Sequence, residues 1–93
     1  MKYFAWDEEK NERLRAQRGI SFEGIVFHVQ RGDLLDVLEH PNQEKYRDQK
    51  LFVVDSNGYI HLVPFVESAT EVFLKTIIPR RSATKRYLPG GKP

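Results

Sequence analysis

The tripeptide Ser56-Asn57-Gly58 constrains this chain more than any other stretch. It stands between two apolar runs, Leu51-Phe52-Val53-Val54-Asp55 and Tyr59-Ile60-His61-Leu62-Val63-Pro64-Phe65-Val66. Asn-Gly between apolar runs is the strongest short-range signal for a β-hairpin, because both residues tolerate the positive φ that a tight hairpin turn demands. Pro64 has no N–H to give to a ladder, so it is expected at a bulge or on an unpaired edge.

Around the hairpin the pattern predicts a small α+β domain. Tyr3 to Trp6 reads as a short strand. Asp7 then caps a helix with Glu8 and Glu9 in its first turn, Arg15 and Arg18 toward its end and Gly19 as its stop. Glu9 and Arg13 stand at i,i+4, and Leu14 and Ala16 are its chief apolar residues. Ser21 caps a second helix, in which Phe22, Ile25, Val26 and Val29 recur at i, i+3, i+4 and i+7 and Gly32 marks the end. Leu34, Leu35, Val37 and Leu38 form a strand that closes at Glu39-His40-Pro41-Asn42, and residues 42–50 are polar loop. Val72 to Ile78 is a further strand after the connection Glu67 to Glu71. It and the second hairpin strand are apolar on both faces, so both faces are expected to be partly covered. The predicted order is β-α-α-β-β-β-β-α, an antiparallel sheet with two N-terminal helices packed on it and a short C-terminal basic helix. One domain over residues 1–88 is expected, with 89–93 as a frayed tail.

The 93 residues carry a net charge of only +2, yet the charge is unevenly placed. From Lys75 onward there are six Lys or Arg and no Asp or Glu, whereas residues 31–74 carry eight acids against four bases. Such a cluster is the footprint of a surface that meets phosphate or an acidic protein. Cysteine is absent, which removes disulfides, thiolate metal sites and thiol nucleophiles. No glycine-rich phosphate loop and no nucleophile elbow is present, so nucleotide-dependent and acyl-transfer chemistry are disfavoured. The three histidines show no metal-binding spacing, and no cofactor is expected. No run suits a membrane span and no signal segment opens the chain, so a cytoplasmic protein is expected.

Arg80, Arg81, Lys85 and Arg86 have three readings: a solvated helix face, a set of guanidinium forks gripping phosphate, or a docking site for an acidic partner. Lys75 lies mid-strand with Phe73 and Ile77, so it either snorkels to the rim or points into a functional concavity. His40 sits at a strand end beside Glu39, where a histidine is usually exposed but is the standard proton carrier near neutral pH. His61 reads as a half-buried sheet residue, and His28 receives no role.

Several stretches together resemble the BrnT family of toxins from bacterial type II toxin–antitoxin pairs, which share the RelE-like ribonuclease fold. They are Phe4-Ala5-Trp6-Asp7-Glu8-Glu9-Lys10, Arg18-Gly19-Ile20-Ser21-Phe22-Glu23, and Phe73-Leu74-Lys75-Thr76-Ile77-Ile78 with Arg80, Ala83, Thr84 and Lys85. The family often has Lys-His where this chain has Gln17-Arg18, so a histidine acid or base at that place is missing. The resemblance implies a metal-independent endoribonuclease that cuts mRNA and slows translation, the 2′-hydroxyl attacking the adjacent phosphate. It implies a small ribbon-helix-helix antitoxin as partner, with operator DNA met only through that antitoxin. In that frame Lys75, Arg80 and Arg81 are candidates for phosphate stabilisation, and His40 and Tyr46 for proton transfer with Glu39 orienting His40. Lys10, Arg18, Lys85 and Arg86 are candidates for RNA contacts. The alternative is a non-catalytic module that binds RNA or an acidic protein segment.

Overall fold

In the computed structural model, which describes residues 2–89, the Asn-Gly turn closes a hairpin between β3 (Lys50–Ser56) and β4 (Tyr59–Glu67). Asn57 and Gly58 both take positive φ, 57° and 85°, and Asp55 Oδ1 accepts from the Gly58 N–H at 2.9 Å. The remaining elements are β1 (Tyr3–Ala5), α1 (Glu8–Arg18), α2 (Phe22–Gln30), β2 (Leu34–Glu39), β5 (Glu71–Leu74), β6 (Ile78–Pro79) and α3 (Arg81–Tyr87). The sheet runs β1-β5-β4-β3-β2, with β6 beside β4. It is mixed α+β and mostly antiparallel. Most of the expected tail, 90–93, lies outside the described residues.

Two corrections to the expected sheet matter for function. First, β1 pairs with β5 in parallel, so the sheet is not wholly antiparallel. Second, the strand expected from Val72 to Ile78 is broken. Three steps along β4, from Phe65 to Leu62, face four steps from Leu74 to Ile78, so one residue bulges out between β5 and β6. Pro64 explains the place. Its carbonyl accepts from Lys75 N at 2.7 Å, so its ring nitrogen faces the same neighbour and offers that neighbour no N–H. Of the two placements expected of Pro64, a bulge or an unpaired edge, the structure has a bulge, and it lies in the strand beside Pro64.

Both helix caps are as the composition predicts. Asp7 accepts from Glu9 N, Gly19 closes α1 in the left-handed region (φ 66°), and Ser21 accepts from Gly24 N. Phe22 and Ile25 of α2 and Leu14 of α1 press on Phe52, Val54, Val63, Phe65, Val72, Leu74 and Ile77, and Trp6 stacks on Phe22 at 5.7 Å. Phe22 has no exposed surface, and burying such a side chain contributes about 1.5–3 kcal/mol. Ala16 is exposed, and the second buried residue of α1 is Asn11 instead. Asn11 Oδ1 accepts from Phe22 N, and its amide donates to Glu23 Oε1, both at 2.8 Å. One polar side chain thus satisfies a buried donor at the start of α2 and ties the helices together. Glu9 and Arg13 form no ion pair; Arg15 holds Glu12 and Glu23 instead.

The opposite face carries Leu51, Val53, Ile60, Leu62 and Pro64, because strand alternation sends these away from the two helices. Only α3 covers it. Ile60 takes part twice: its carbonyl accepts from Arg80 N at 3.0 Å and its N–H donates to Thr84 Oγ1 at 2.9 Å. The Thr84 hydroxyl donates in turn to Arg80 O. Both faces of β4 are therefore covered, as its unbroken apolar run suggested, but to different depths.

Candidate nucleic-acid interface

Seven residues of helix cannot roof a whole sheet face, and α3 leaves a groove of about 360 Å³ between itself and the strands. Its floor is apolar, with Leu38, Leu51, Leu62, Pro64 and Ile78, and Ala83 of α3 lines it from the other side. Its rim carries Arg80, Arg86, His40 and Tyr87. Tyr87 Oη donates to Asp36 Oδ2 at 3.2 Å, which clips the end of α3 to the edge strand β2. Burial first, then the Asp36 carboxylate, holds the Tyr87 phenol above its ordinary value. Asp36 Oδ1 also accepts from the Val37 N–H, so the carboxylate occupies a donor on the open edge.

The predicted phosphate triplet is only partly assembled there. Arg80 lines the groove, whereas Lys75 and Arg81 do not. Lys75 is exposed, and its ammonium lies 5.6 Å from the centre of the Phe73 ring, on the groove face of the sheet but beside the groove. The snorkelling alternative describes it. Arg86, assigned to RNA contact, lines the groove, and Arg81 and Lys85 are exposed outside it. The helix period accounts for this: Ser82, Ala83, Arg86 and Tyr87 lie on the groove side of α3, and Arg81 and Lys85 share another. None of Lys75, Arg80, Arg81, Lys85 and Arg86 has a carboxylate oxygen within 4.0 Å among the described residues, while Lys2, Arg15 and Arg31 each do. Arg80 and Arg81 also stand at the start of α3, where the helix dipole disfavours positive charge, so helix stability does not account for them.

His40 and Tyr46 are brought together, with ring centres 4.3 Å apart. Both are half-buried in the loop between β2 and β3, and Lys45 approaches the Tyr46 ring. His40 Nδ1 accepts from the Asn42 N–H at 3.1 Å, so the neutral ring carries its proton on Nε2. In that arrangement His40 offers a donor at its free nitrogen, not a lone pair. Its recorded partner is Asn42 rather than Glu39.

Lys10 and Arg18 lie away from this groove. With Arg13, Leu14 and Gln17 they line a second hollow of about 390 Å³, between α1 and Thr76, Ile77 and Ile78. Ile78 borders both hollows.

Two groups escaped the sequence reading. Nothing in the spacing around Thr84 marks it, yet its hydroxyl fixes the start of α3 and with it Arg80. His28 is buried and bonds Asp33 Oδ2 through Nδ1 at 2.7 Å, and Arg31 pairs with the same oxygen at 3.1 Å. Its position near the end of α2 and the five-residue spacing to Asp33 are a signal for a local pin, which is what forms. His61 Nδ1 lies 3.2 Å from the Tyr59 carbonyl, and burial, with a small contribution from His28, holds the ring below its ordinary value. Among the described residues no three His, Asp or Glu side chains gather as a metal site would need, and no helix is long and apolar enough to cross a membrane. Compared with family models, curated proteins and solved structures, the chain matches none of them.

Proposed function

We propose that the chain is an endoribonuclease of the toxin–antitoxin type that works without a metal and slows translation by cutting mRNA in the groove beneath α3. The observation that carries this reading is Arg80 and Arg86 at the rim of an apolar groove, with no carboxylate oxygen within 4.0 Å of either among the described residues. An apolar floor suits base faces, and guanidinium forks suit phosphate oxygens. In the reaction the ribose 2′-hydroxyl gives its proton to water as its oxygen bonds to phosphorus, the bond to the 5′-oxygen breaks, and that oxygen takes a proton from water, leaving a 2′,3′-cyclic phosphate and a 5′-hydroxyl. Arg80 and Arg86 stabilise the charge that grows on the phosphate, and His40 Nε2–H donates a hydrogen bond to it. Lys75, Arg81 and Lys85 act at longer range by raising the local potential. Tyr46 holds the His40 ring by stacking.

The partner in this reading is a small ribbon-helix-helix antitoxin, with operator DNA reached through it. A neighbouring reading frame of that type supports the partner, and its absence counts against it. The test of the activity is purified protein with RNA in EDTA, against Arg80→Ala with Arg86→Ala. Cleavage by the wild type alone supports the site; equal cleavage by both removes it. A second reading, an RNA-binding module without cleavage, is favoured by the occupied Nδ1 of His40 and by Gln17-Arg18. Salt-sensitive RNA retention without any cleavage product is its signature.

A further inference from the structure

We propose that the face of α1 bearing Lys10, Arg13 and Arg18 is a second phosphate-binding groove for the same single-stranded RNA, reached by the strand as it passes over Ile78. This rests on the reading of the first groove as an RNA site and extends it to residues on the far side of the sheet edge. Lys10, Arg13, Leu14, Gln17 and Arg18 follow one another at helical spacing along one side of α1. Leu14 is buried in the core and fixes the rotation of the helix, so the three cations must flank the hollow beside Thr76, Ile77 and Ile78. Charge is segregated within this one helix. Arg15 is held by Glu12 and Glu23, whereas Lys10, Arg13 and Arg18 have no carboxylate oxygen within 4.0 Å among the described residues.

The two hollows share a border at one residue. Ile78 lies in the short strand β6 and lines each of them, about 360 Å³ on the α3 side and about 390 Å³ on the α1 side. Arg18 extends the second hollow to a third, of about 410 Å³, beside Gly19, Asn57, His61 and Pro79. A peptide strand is a poor fit for this edge. β6 has two residues, and Pro79 has no N–H to offer a partner strand. A flexible polyanion needs no such ladder, only spaced cations and open surface. The contacts would be to phosphate, so they would add affinity without sequence preference.

Fluorescence anisotropy with uncleavable 2′-O-methyl RNA tests this independently of catalysis. A twelve-nucleotide probe and a three-nucleotide probe are compared over a salt series. The variants are Arg13→Ala with Arg18→Ala, the same pair to Lys, and Arg80→Ala with Arg86→Ala. Loss of two contacts should lower the slope of log K against log salt by about 1.4 for the long probe. Its affinity should fall about ten-fold at low salt, with the short probe unaffected and the lysine pair near wild type. An unchanged slope for the long probe in the alanine pair overturns the second groove. Displacement of the long probe by polyglutamate at matched charge, with no dependence on RNA length, also overturns it and marks an acidic-protein site. If Arg80→Ala with Arg86→Ala binds both probes as wild type does, the first groove fails instead, whatever α1 shows.

Discussion

On the face of the sheet that α1 and α2 cover, side chains close the interior completely; on the face that α3 covers, they stop short and leave a groove. Phe22, Ile25 and Leu14 fill the first face, Trp6 stacks over it, and Asn11 satisfies the amide that the packing would otherwise strand. Arg15 beside it is paired with Glu12 and Glu23, and Asn11 first, then the residue's own backbone and Arg15, hold the Glu23 carboxyl below its ordinary value. The second face rests on one hydroxyl, Thr84, and one clip, Tyr87 to Asp36. Its cations have no carboxylate oxygen within 4.0 Å among the described residues. The difference separates what folds this chain from what is available for binding: stability is concentrated under α1 and α2, and the groove beneath α3 stays open.

The comparison can be broken most forcefully at Phe22. Phe22→Ala should cost about 3–5 kcal/mol, read as a lower denaturant midpoint. RNA affinity of the molecules that remain folded should hardly change. A smaller loss, with RNA binding abolished, would mean that the two faces are not separable.

Thr84→Val comes next and should affect both. It leaves the Ile60 N–H without a partner, at about 1–3 kcal/mol, and it frees the start of α3. Thr84→Ser, which keeps the hydroxyl, should retain both stability and RNA binding. If Val behaves like Ser, the hydroxyl does not place Arg80.

His61 sharpens the contrast through pH. Its folded form resists protonation, while the unfolded chain takes the proton near the ordinary value of 6.5. Its contribution is therefore complete above that value and is lost as pH falls through the lower folded value. Unfolding midpoints between neutral and mildly acidic pH should fall less steeply for His61→Gln than for wild type. Parallel curves would remove His61 from the account.

The smallest effect on stability is expected at Arg80 and Arg86, within about 0.5 kcal/mol of wild type, since both are exposed and unpaired. Their effect on cleavage should be large, about 2.7–4 kcal/mol in the barrier if either stabilises the reacting phosphate, read as single-turnover rates. A destabilised variant with an unchanged rate would reverse the assignment of the two faces.

Most of the backbone was legible from local chemistry. Asp7, Gly19 and Ser21 act within a few residues of themselves, as does Asn57-Gly58, so their roles could be read without neighbours. Pro64 announced a bulge, because a missing donor is a property of the residue alone. What escaped the sequence depends on distant partners. Asn11 looks like one more polar residue in a charged helix until Phe22 N is seen beside it. The parallel pairing of β1 with β5 joins segments nearly seventy residues apart, as Tyr3 opposite Glu71 shows. The basic segment was visible, but which of its members enter a groove depends on the rotation of α3, which Thr84 and Tyr87 set. That is why Arg86 joins Arg80 in the groove and Arg81 does not.

Chemical-shift mapping with uncleavable RNA tests the central claim most directly. The account predicts that the amides of Ile78, of Arg80 to Tyr87 and of Leu38 to His40 shift on titration, while those of α2 stay in place. Shifts confined to α2 or to the outer face of β1, with the α3 groove silent, would contradict it.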